Sequence, residues 1–119
     1  MADYKLGEVE SIFADIIWSN EPLSSHRLAE LAEESLSWKR TTTYTILKRL
    51  CDRGLFQNQG GTVTSLVSKQ EFYAMQSEKF VEETFSGSLP AFLAAFGSRK
   101  KLSQSEIDEL QKVIDSMRG

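Results

Sequence analysis

The chain has 119 residues, of which 40% are hydrophobic and 26% charged, which is the composition of one ordinary globular domain or of a small domain with an appendage. This balance excludes wholesale disorder, and the chain has neither an apolar run of membrane-spanning length nor the pattern of a signal peptide. The net charge of −3 argues against a general nucleic-acid binder, yet residues 24–69 carry seven basic and four acidic side chains. A locally basic middle third suits a protein that touches phosphates with one surface, although chance clustering on a solvated face is the alternative.

Two helices are predicted for the first third of the chain. Apolar residues at helical spacing predict a helix over residues 6–19, and Asn20-Glu21-Pro22 ends it, because proline cannot continue a helix. Pro22-Leu23 is predicted to be extended. Ser24 is then placed to cap a second helix, which fades near Ser35.

A third helix and a β-hairpin follow. The helix is predicted from about Arg40 to Arg53, and Gly54 stands where a left-handed residue often closes a helix. Two β-like runs, residues 55–59 and 62–67, flank a Gly-Gly pair and predict a hairpin. Three helices followed by a two-stranded hairpin is the order of a winged helix-turn-helix domain.

The last third of the chain is predicted to be helical. Ser68 with Glu71, and again Ser103 with Glu106, have the spacing of a capping box, which predicts a helix start at each place. Ser86-Gly87-Ser88 separates the first of these helices from a short one. The basic segment 99–101 separates the short helix from the last one.

This order of elements predicts a mainly α fold with a small β-hairpin. Residues 1–70 are assigned to the winged helix-turn-helix domain, and residues 71–119 to a C-terminal helical dimerisation module. A narrow apolar seam like that of the last helix suits pairing between helices, and short chains commonly oligomerise. The predicted dimerisation residues are Phe80, Phe92, Phe96, Ile107, Leu110, Ile114 and Met117.

The third helix has two unlike faces. At about 100° per residue, one face is predicted to pack on the first two helices, and it consists of Thr43, Ile46, Leu47 and Leu50, with Cys51 at its edge. The opposite face carries small hydroxyls, an aromatic ring and cations, which can approach base edges closely or bond to phosphates. A plain solvated face is the alternative, but such a face normally mixes acids with its bases, and here Asp52 is the only acid.

We therefore predict that the third helix reads DNA in the major groove. The side chains expected to face bases are Thr41, Tyr44, Thr45 and Lys48. Phosphate contacts are expected at the start of the third helix, where the helix dipole favours an anion, and at the start of the second helix, which in a helix-turn-helix faces the DNA backbone. They are assigned to Lys39, Arg40, Arg49, Ser24 and Ser25, and Thr42 and Thr62 complete the predicted DNA-binding set.

At this point the sequence resembles the BlaI/MecI penicillinase-repressor family, which includes CopY-type repressors. Four segments in the same order carry the resemblance. They are residues 6–10 leading to Ile16-Ile17-Trp18, the pattern T-x-x-T-x-(L/I)-x-R-L-x-x-x-G from Thr42 to Gly54, residues 67–72 at the end of the wing, and residues 103–110 in the last helix.

The resemblance implies a homodimeric repressor whose winged helices bind the two halves of a palindromic operator and whose C-terminal helices form the dimer interface. It also implies release through a sensor-linked protease that cleaves an Asn-Phe bond in the short C-terminal helix. The matching pair in this sequence is Ala95-Phe96, so the asparagine is lost. The Cys-x-Cys motifs of the copper-sensing branch are missing from this sequence.

An enzyme, a cofactor and a metal site are not predicted. The lone Cys51 and the lone His26 are not obviously paired, and neither a phosphate-binding glycine loop nor a metal-ligand cluster is present in the sequence. Cys51 is interpreted as a small core residue rather than a redox sensor. The single cysteine, the lack of a membrane-spanning run and the lack of a signal peptide together predict a cytosolic protein. Two alternatives remain open: a winged helix that binds proteins without DNA affinity, and a repressor with a ligand pocket among its C-terminal phenylalanines.

Overall fold

The computed structural model describes residues 6–118. The described helices and strands are, in chain order, α1 (Glu8–Asn20), β1 (Leu23–Ser24), α2 (Ser25–Leu36), α3 (Arg40–Asp52), β2 (Phe56–Gln59), β3 (Thr62–Ser65), α4 (Lys69–Thr84), α5 (Leu89–Arg99) and α6 (Gln104–Ser116). The predicted fold class, mainly α with a small hairpin, is confirmed. Among these residues, no helix is both long enough and apolar enough to cross a lipid bilayer.

The chain divides into two compact units. One unit ends at Ser77 and the other begins at Glu78, so the division falls inside α4. The domain boundary drawn from the sequence, between residues 70 and 71, stays a prediction.

The sheet of the first unit has three strands rather than the two predicted. β3 lies in the middle, and β1 and β2 pair with it on either side, both antiparallel. The sequence predicted an extended Pro22-Leu23 segment but no pairing partner for it, whereas Leu23 is opposite Val63 and Ser24 is opposite Thr62. The hairpin strands are also shorter than predicted, because the N–H groups of Leu66 and Val67 both turn to the Leu55 carbonyl, at 2.9 and 3.3 Å.

Local backbone chemistry sets where the first three helices begin and end. α1 starts two residues later than predicted, after Gly7, whose N–H donates to Glu10 Oε1 at 3.2 Å. α2 ends at Leu36, and Ser37 follows with a left-handed φ of 56°. Gly54 has a φ of 85°, so the predicted left-handed glycine after α3 is confirmed.

The core of the first unit joins α1, α2, α3 and the sheet. Its largest fully buried side chains include Phe13, Ile17, Leu28, Leu50, Leu55, Phe56 and Val63. Trp18 packs against Phe56 with 5.4 Å between ring centroids, and its indole N–H donates to the Val67 carbonyl at 3.0 Å. Since α3 takes part in this core through one face, its other face is held outward in a fixed orientation.

The second unit is far less buried. Neither α5 nor α6 has a fully buried side chain. Both predicted capping boxes are present, one at the start of α4 in the first unit, where Ser68 Oγ accepts from Glu71 N at 3.0 Å, and one at the start of α6 in the second, where Ser103 Oγ accepts from Glu106 N at 3.1 Å. The phenylalanine rings of this unit pack edge to face, and the centroid of Phe92 lies 6.0 Å from that of Phe80 and 5.6 Å from that of Phe85.

Candidate nucleic-acid interface

α3 separates its buried and exposed side chains cleanly. Its buried residues are Thr43, Leu47 and Leu50, which agrees with the core face predicted from the sequence. All the DNA-contact residues predicted on this helix are exposed, namely Arg40, Thr41, Thr42, Tyr44, Thr45, Lys48 and Arg49. The helix therefore presents a continuous polar surface to solvent while its other face is anchored in the core.

Two side chains on the exposed face already have contacts within the helix. Thr45 donates its hydroxyl hydrogen to the Thr41 carbonyl at 2.8 Å, so the hydroxyl is left to accept and its methyl group to make apolar contact. Lys48 Nζ lies 3.3 Å from Asp52 Oδ2, with both side chains more than half exposed. A surface ion pair of this kind contributes little to the free energy of folding, and it separates easily when a phosphate or a base competes for the ammonium group.

Arg49 is tied to α1 in a way that the sequence did not indicate. Its Nη1 is 3.9 Å from Glu10 Oε2, and the same oxygen is 3.4 Å from Arg53 Nη1. The Arg49 side chain is 55% exposed and the Arg53 side chain 19%, so Arg53 is the more firmly held partner of Glu10. Arg49 is the one of the two that can turn outward.

Two cations stand at the N-terminal end of α3. Lys39 is the N-cap residue and makes no side-chain capping bond, Arg40 is the first helical residue, and the first turn contains no acid. Cations at this end oppose the helix dipole, which stabilises negative charge there instead. The arrangement becomes favourable when an anion such as a phosphate lies against the exposed N–H groups.

The start of α2 and the tip of the hairpin meet. Ser24 Oγ accepts from Arg27 N at 2.9 Å and caps α2, as predicted. The Ser25 N–H donates to the Gly61 carbonyl at 2.8 Å, and Ser24 is paired with Thr62 across the sheet. Ser24, Ser25 and Thr62, three of the predicted DNA-binding residues, are thus brought together, although the Ser25 N–H is already engaged and its side chain is what remains for DNA.

The wing turn consists of two glycines in the left-handed region. Gly60 has a φ of 59° and Gly61 a φ of 90°, which is the backbone that a tight hairpin turn of type I′ requires. Nothing lies within 4 Å of the position that a Cβ atom would take at either glycine. The tip is therefore narrow, with open space beside both glycines.

Asn58 is a residue that the sequence did not single out. It lines a shallow cavity of about 380 Å³ together with Tyr44, Leu47, Lys48 and Cys51. The wing strand β2 thus contributes an amide to the same groove as two of the predicted base-facing residues. The signal was missing from the sequence because the approach of β2 to α3 is a tertiary contact with no local pattern.

Cys51 lies at the inner edge of this groove and is half-buried. Its burial, with the neighbouring carboxylate of Asp52 as a second cause, raises the pKa of the thiol. A raised pKa disfavours the thiolate, which is the nucleophilic and metal-binding form. The environment is that of a core residue, as interpreted from the sequence.

The second unit carries the residues predicted for dimerisation and cleavage. A groove of about 390 Å³ between α5 and α6 is lined by apolar side chains that include Phe92, Phe96 and Leu110. Four others of the predicted set are largely exposed, namely Phe80, Ile107, Ile114 and Met117, at 50, 45, 41 and 69%, and Phe96 itself is 46% exposed. Ala95 and Phe96 are exposed on α5, and the Ala95 carbonyl accepts from Ser98 Oγ at 2.7 Å.

A metal site requires several ligating side chains that lie close together. Residues 6–118 contain no group of three or more His, Cys, Asp or Glu side chains that could hold a metal ion.

Known sequences match this chain almost from end to end. The pattern of the family described as penicillinase repressor matches residues 6–116. The methicillin resistance regulatory protein MecI of Staphylococcus aureus strain Mu50 is 25% identical over 116 residues, covering 94% of each chain. The MecI protein of Mammaliicoccus sciuri is 24% identical over the same length, and the penicillinase repressor of Bacillus licheniformis is 22% identical over 115 residues, covering 93% of this chain and 90% of its own.

Proposed function

The chain belongs to the penicillinase repressor family, whose members are bacterial DNA-binding transcriptional repressors rather than enzymes, and we propose that it acts in the cytosol as a homodimer on a palindromic operator. The observation that carries the proposal is the outer face of α3. It is polar and uninterrupted, and its N-terminal end bears Lys39 and Arg40 where a helix would otherwise favour acids.

In this proposal α3 lies in the major groove. The residues that contact base edges are Thr41, Tyr44, Thr45 and Lys48, with Thr42 beside them. Since the Thr45 hydroxyl donates within the helix, its contribution is its methyl group and its acceptor lone pairs, which suit a thymine methyl or a base amino group.

Phosphates are held on both sides of that groove. Lys39 and Arg40 serve the phosphate nearest the start of α3, and Arg49 reaches another once it turns from Glu10. Ser24 and Thr62, paired across the sheet, offer hydroxyls beside the wing, and Ser25 adds its own hydroxyl. Contacts of this kind set the register of the protein on the duplex without reading sequence.

Dimerisation is assigned to the second unit. Five of its large apolar side chains, Phe80, Phe96, Ile107, Ile114 and Met117, are more than 40% exposed, and exposed apolar side chains that form a large patch mark an interaction site. The proposed interface comprises Phe80, Phe92, Phe96, Ile107, Leu110, Ile114 and Met117, with residues 1–70 as the DNA-binding domain and 71–119 as the dimerisation domain. A C2 dimer then spaces two copies of α3 about 34–36 Å apart, or a multiple of that, on one face of the DNA.

Release by a sensor-linked protease is proposed at Ala95-Phe96. Both side chains are exposed, but the bond lies inside α5, so this turn of the helix must open before a protease can act on it. Mass spectrometry of the protein from induced cells tests the step, with fragments ending at Ala95 as the expected result. An intact chain in fully derepressed cells would contradict it.

The central test is a comparison of two duplexes. Fluorescence anisotropy with the promoter of its own operon, and with a random duplex of equal length, is expected to show binding at least about a thousandfold tighter to the promoter at physiological salt. A protein that binds neither duplex would overturn the DNA-binding proposal and favour a winged helix that contacts proteins.

A further inference from the structure

The only histidine of the chain contacts the first residue of α3. His26 is the second residue of α2, and Arg40 begins α3. The Nη1 atom of Arg40 lies 2.8 Å from Nδ1 of His26, across fourteen residues of sequence. Both side chains are exposed, so the bond lies at the surface where the two helices of the helix-turn-helix approach each other.

The chemistry of the two groups fixes the state of the ring. A guanidinium group can only donate hydrogen bonds, so Nδ1 of His26 has to accept. The imidazole is therefore neutral and carries its proton on Nε2. The Nε2–H group is then the remaining donor of the ring.

A neutral hydrogen-bond acceptor such as this imidazole leaves the charge of the arginine in place, whereas a carboxylate neutralises it. Three other cations of the helix-turn-helix are paired with acids: Arg27 with Glu30, Lys48 with Asp52, and Arg49 with Glu10. Within the described residues, Arg40 forms no ion pair with a carboxylate. Its guanidinium is held in place by His26 while its full positive charge stays available.

Holding an arginine in advance favours the binding of a phosphate. A free arginine side chain loses much rotamer freedom when its planar fork docks on a phosphate. A side chain that is already restrained has lost part of that freedom before binding, which is the general benefit of preorganisation. The restrained group also stands at the positive end of α3, next to Lys39.

We propose that His26 is a positioning residue that orients the Arg40 guanidinium for a backbone phosphate of the DNA. The inference rests on the proposed function, since it assigns a role within the same DNA-binding surface. Arg40 makes the contact, and His26 acts through it. The recognised group is a phosphate diester of duplex DNA, so the effect extends to any sequence that the protein binds.

Three substitutions at one position separate this role from a general effect of the ring. Asparagine places an amide oxygen near the position of Nδ1, whereas glutamine places its amide near Nε2, and alanine removes both. We expect His26→Ala and His26→Gln to weaken binding to operator and random DNA about three- to tenfold, the range for one lost hydrogen bond. His26→Asn should stay within about twofold of the wild type, and a variant series in which asparagine binds no better than alanine would overturn the proposal.

A double-mutant cycle locates the effect in Arg40. Arg40→Ala should lower the slope of log K against log salt by about 0.9, which corresponds to one phosphate contact. In that background, His26→Ala should change affinity by less than about twofold, because its effect passes through Arg40. Additive losses from the two substitutions would contradict a positioning role.

The free protein gives a readout that does not depend on DNA. Since His26 is the only histidine, a long-range ¹H–¹⁵N spectrum of the untagged protein shows its ring nitrogens without assignment. The expected result is the Nε2–H tautomer, with an Nδ1 resonance that shifts in Arg40→Ala. A ring protonated at Nδ1 in the wild type would overturn the inference.

The two proposals can fail separately. A wild-type protein that retains no DNA overturns the proposed function, and the phosphate role of Arg40 with it. If the wild-type protein binds its operator but His26→Ala binds it equally tightly, only the positioning role is overturned. Circular-dichroism melting of each variant serves as the control for folding.

Discussion

Ser65 donates both its backbone N–H and its hydroxyl to the carboxylate of Glu21. The N–H is 2.8 Å from Oε1, and the hydroxyl is 2.8 and 2.9 Å from the two carboxylate oxygens. Both residues are half-buried, and 44 positions separate them in the sequence. The contact joins the end of α1 to the end of β3, so it fixes the base of the wing to the helical core.

Removing this carboxylate is expected to loosen the wing. Hydrogen bonds to a charged group contribute about 1.5–3 kcal/mol, so Glu21→Ala should lower the free energy of unfolding by about 2 kcal/mol and Ser65→Ala by about 1 kcal/mol. Urea denaturation at fixed protein concentration measures both. Glu34→Ala, an exposed carboxylate on α2, is the control, with an expected change within about 0.5 kcal/mol. Equal effects at Glu21 and Glu34 would contradict the assignment.

Thr43 offers a stabilising substitution. Its side chain is fully buried, and its hydroxyl has no hydrogen-bond partner among residues 6–118. Valine has the same branched shape without the buried polar atom, so Thr43→Val should raise the free energy of unfolding by about 1 kcal/mol. Thr42→Val, one residue away on the exposed face, should change it by less than about 0.5 kcal/mol. A destabilised Thr43→Val protein would show that the hydroxyl has a partner in solution.

The two classes of DNA contact are expected to respond differently to alanine. Lys39→Ala should weaken binding to all duplexes and lower the salt slope by about 0.9, while Arg49→Ala should have a smaller effect because Glu10 already competes for its charge. Tyr44→Ala should instead reduce the preference for the operator by about 1–3 kcal/mol. Lys112→Ala, a cation of α6, serves as the control. Equal losses on operator and random DNA for Lys39→Ala and Tyr44→Ala would contradict the division.

A charge placed in the seam of α6 is expected to separate the protomers. Ile114→Glu puts a carboxylate among apolar groups, so sedimentation equilibrium should show a dimer dissociation constant at least about tenfold higher than that of the wild type. Operator binding should weaken as a consequence. Lys112→Gln makes the same change in net charge on an exposed polar position of the helix and should remain dimeric. Truncation after Ser86 should also give a monomer. A dimeric truncated chain would place the interface within residues 1–86 and contradict the role of α5 and α6.

The thiol of Cys51 is expected to react slowly at neutral pH. Its pKa is raised by burial and by Asp52, so the thiolate fraction at pH 7 lies below that of an ordinary cysteine and grows as the pH rises. Reaction with Ellman's reagent should therefore be slower in the folded protein than in urea, and should accelerate from pH 7 to pH 9. A folded protein that reacts faster than the unfolded chain would contradict this expectation and favour a redox-sensor role for Cys51.

The features that depend on residues close together in the sequence could be predicted from it. The helical faces, the two capping boxes and the left-handed Gly54 each depend on residues a few positions apart. The core face of α3 followed in the same way from the spacing of its apolar residues. These predictions needed no knowledge of which elements meet.

The contacts between distant segments could not be predicted in this way. β1 has only two residues, too few for an alternating pattern, so its pairing with β3 is visible only in the folded chain. The ties of Arg49 to Glu10 and of Arg40 to His26 join different helices, and no spacing rule relates their positions. These same contacts decide which cations of the site are neutralised, so the electrostatics of the interface emerged only from the structure.

The clean division of α3 has a consequence for how such repressors diverge. The side chains that hold the fold together, Thr43, Leu47 and Leu50, share no position with those that face outward. Under the proposed function, mutations at Thr41, Tyr44 or Thr45 would therefore change the choice of operator without loss of the fold, and a duplicated gene could acquire a new operator through a few surface changes. Selection on target choice and selection on folding would then act on different residues of one helix, so that a common scaffold could serve many regulons.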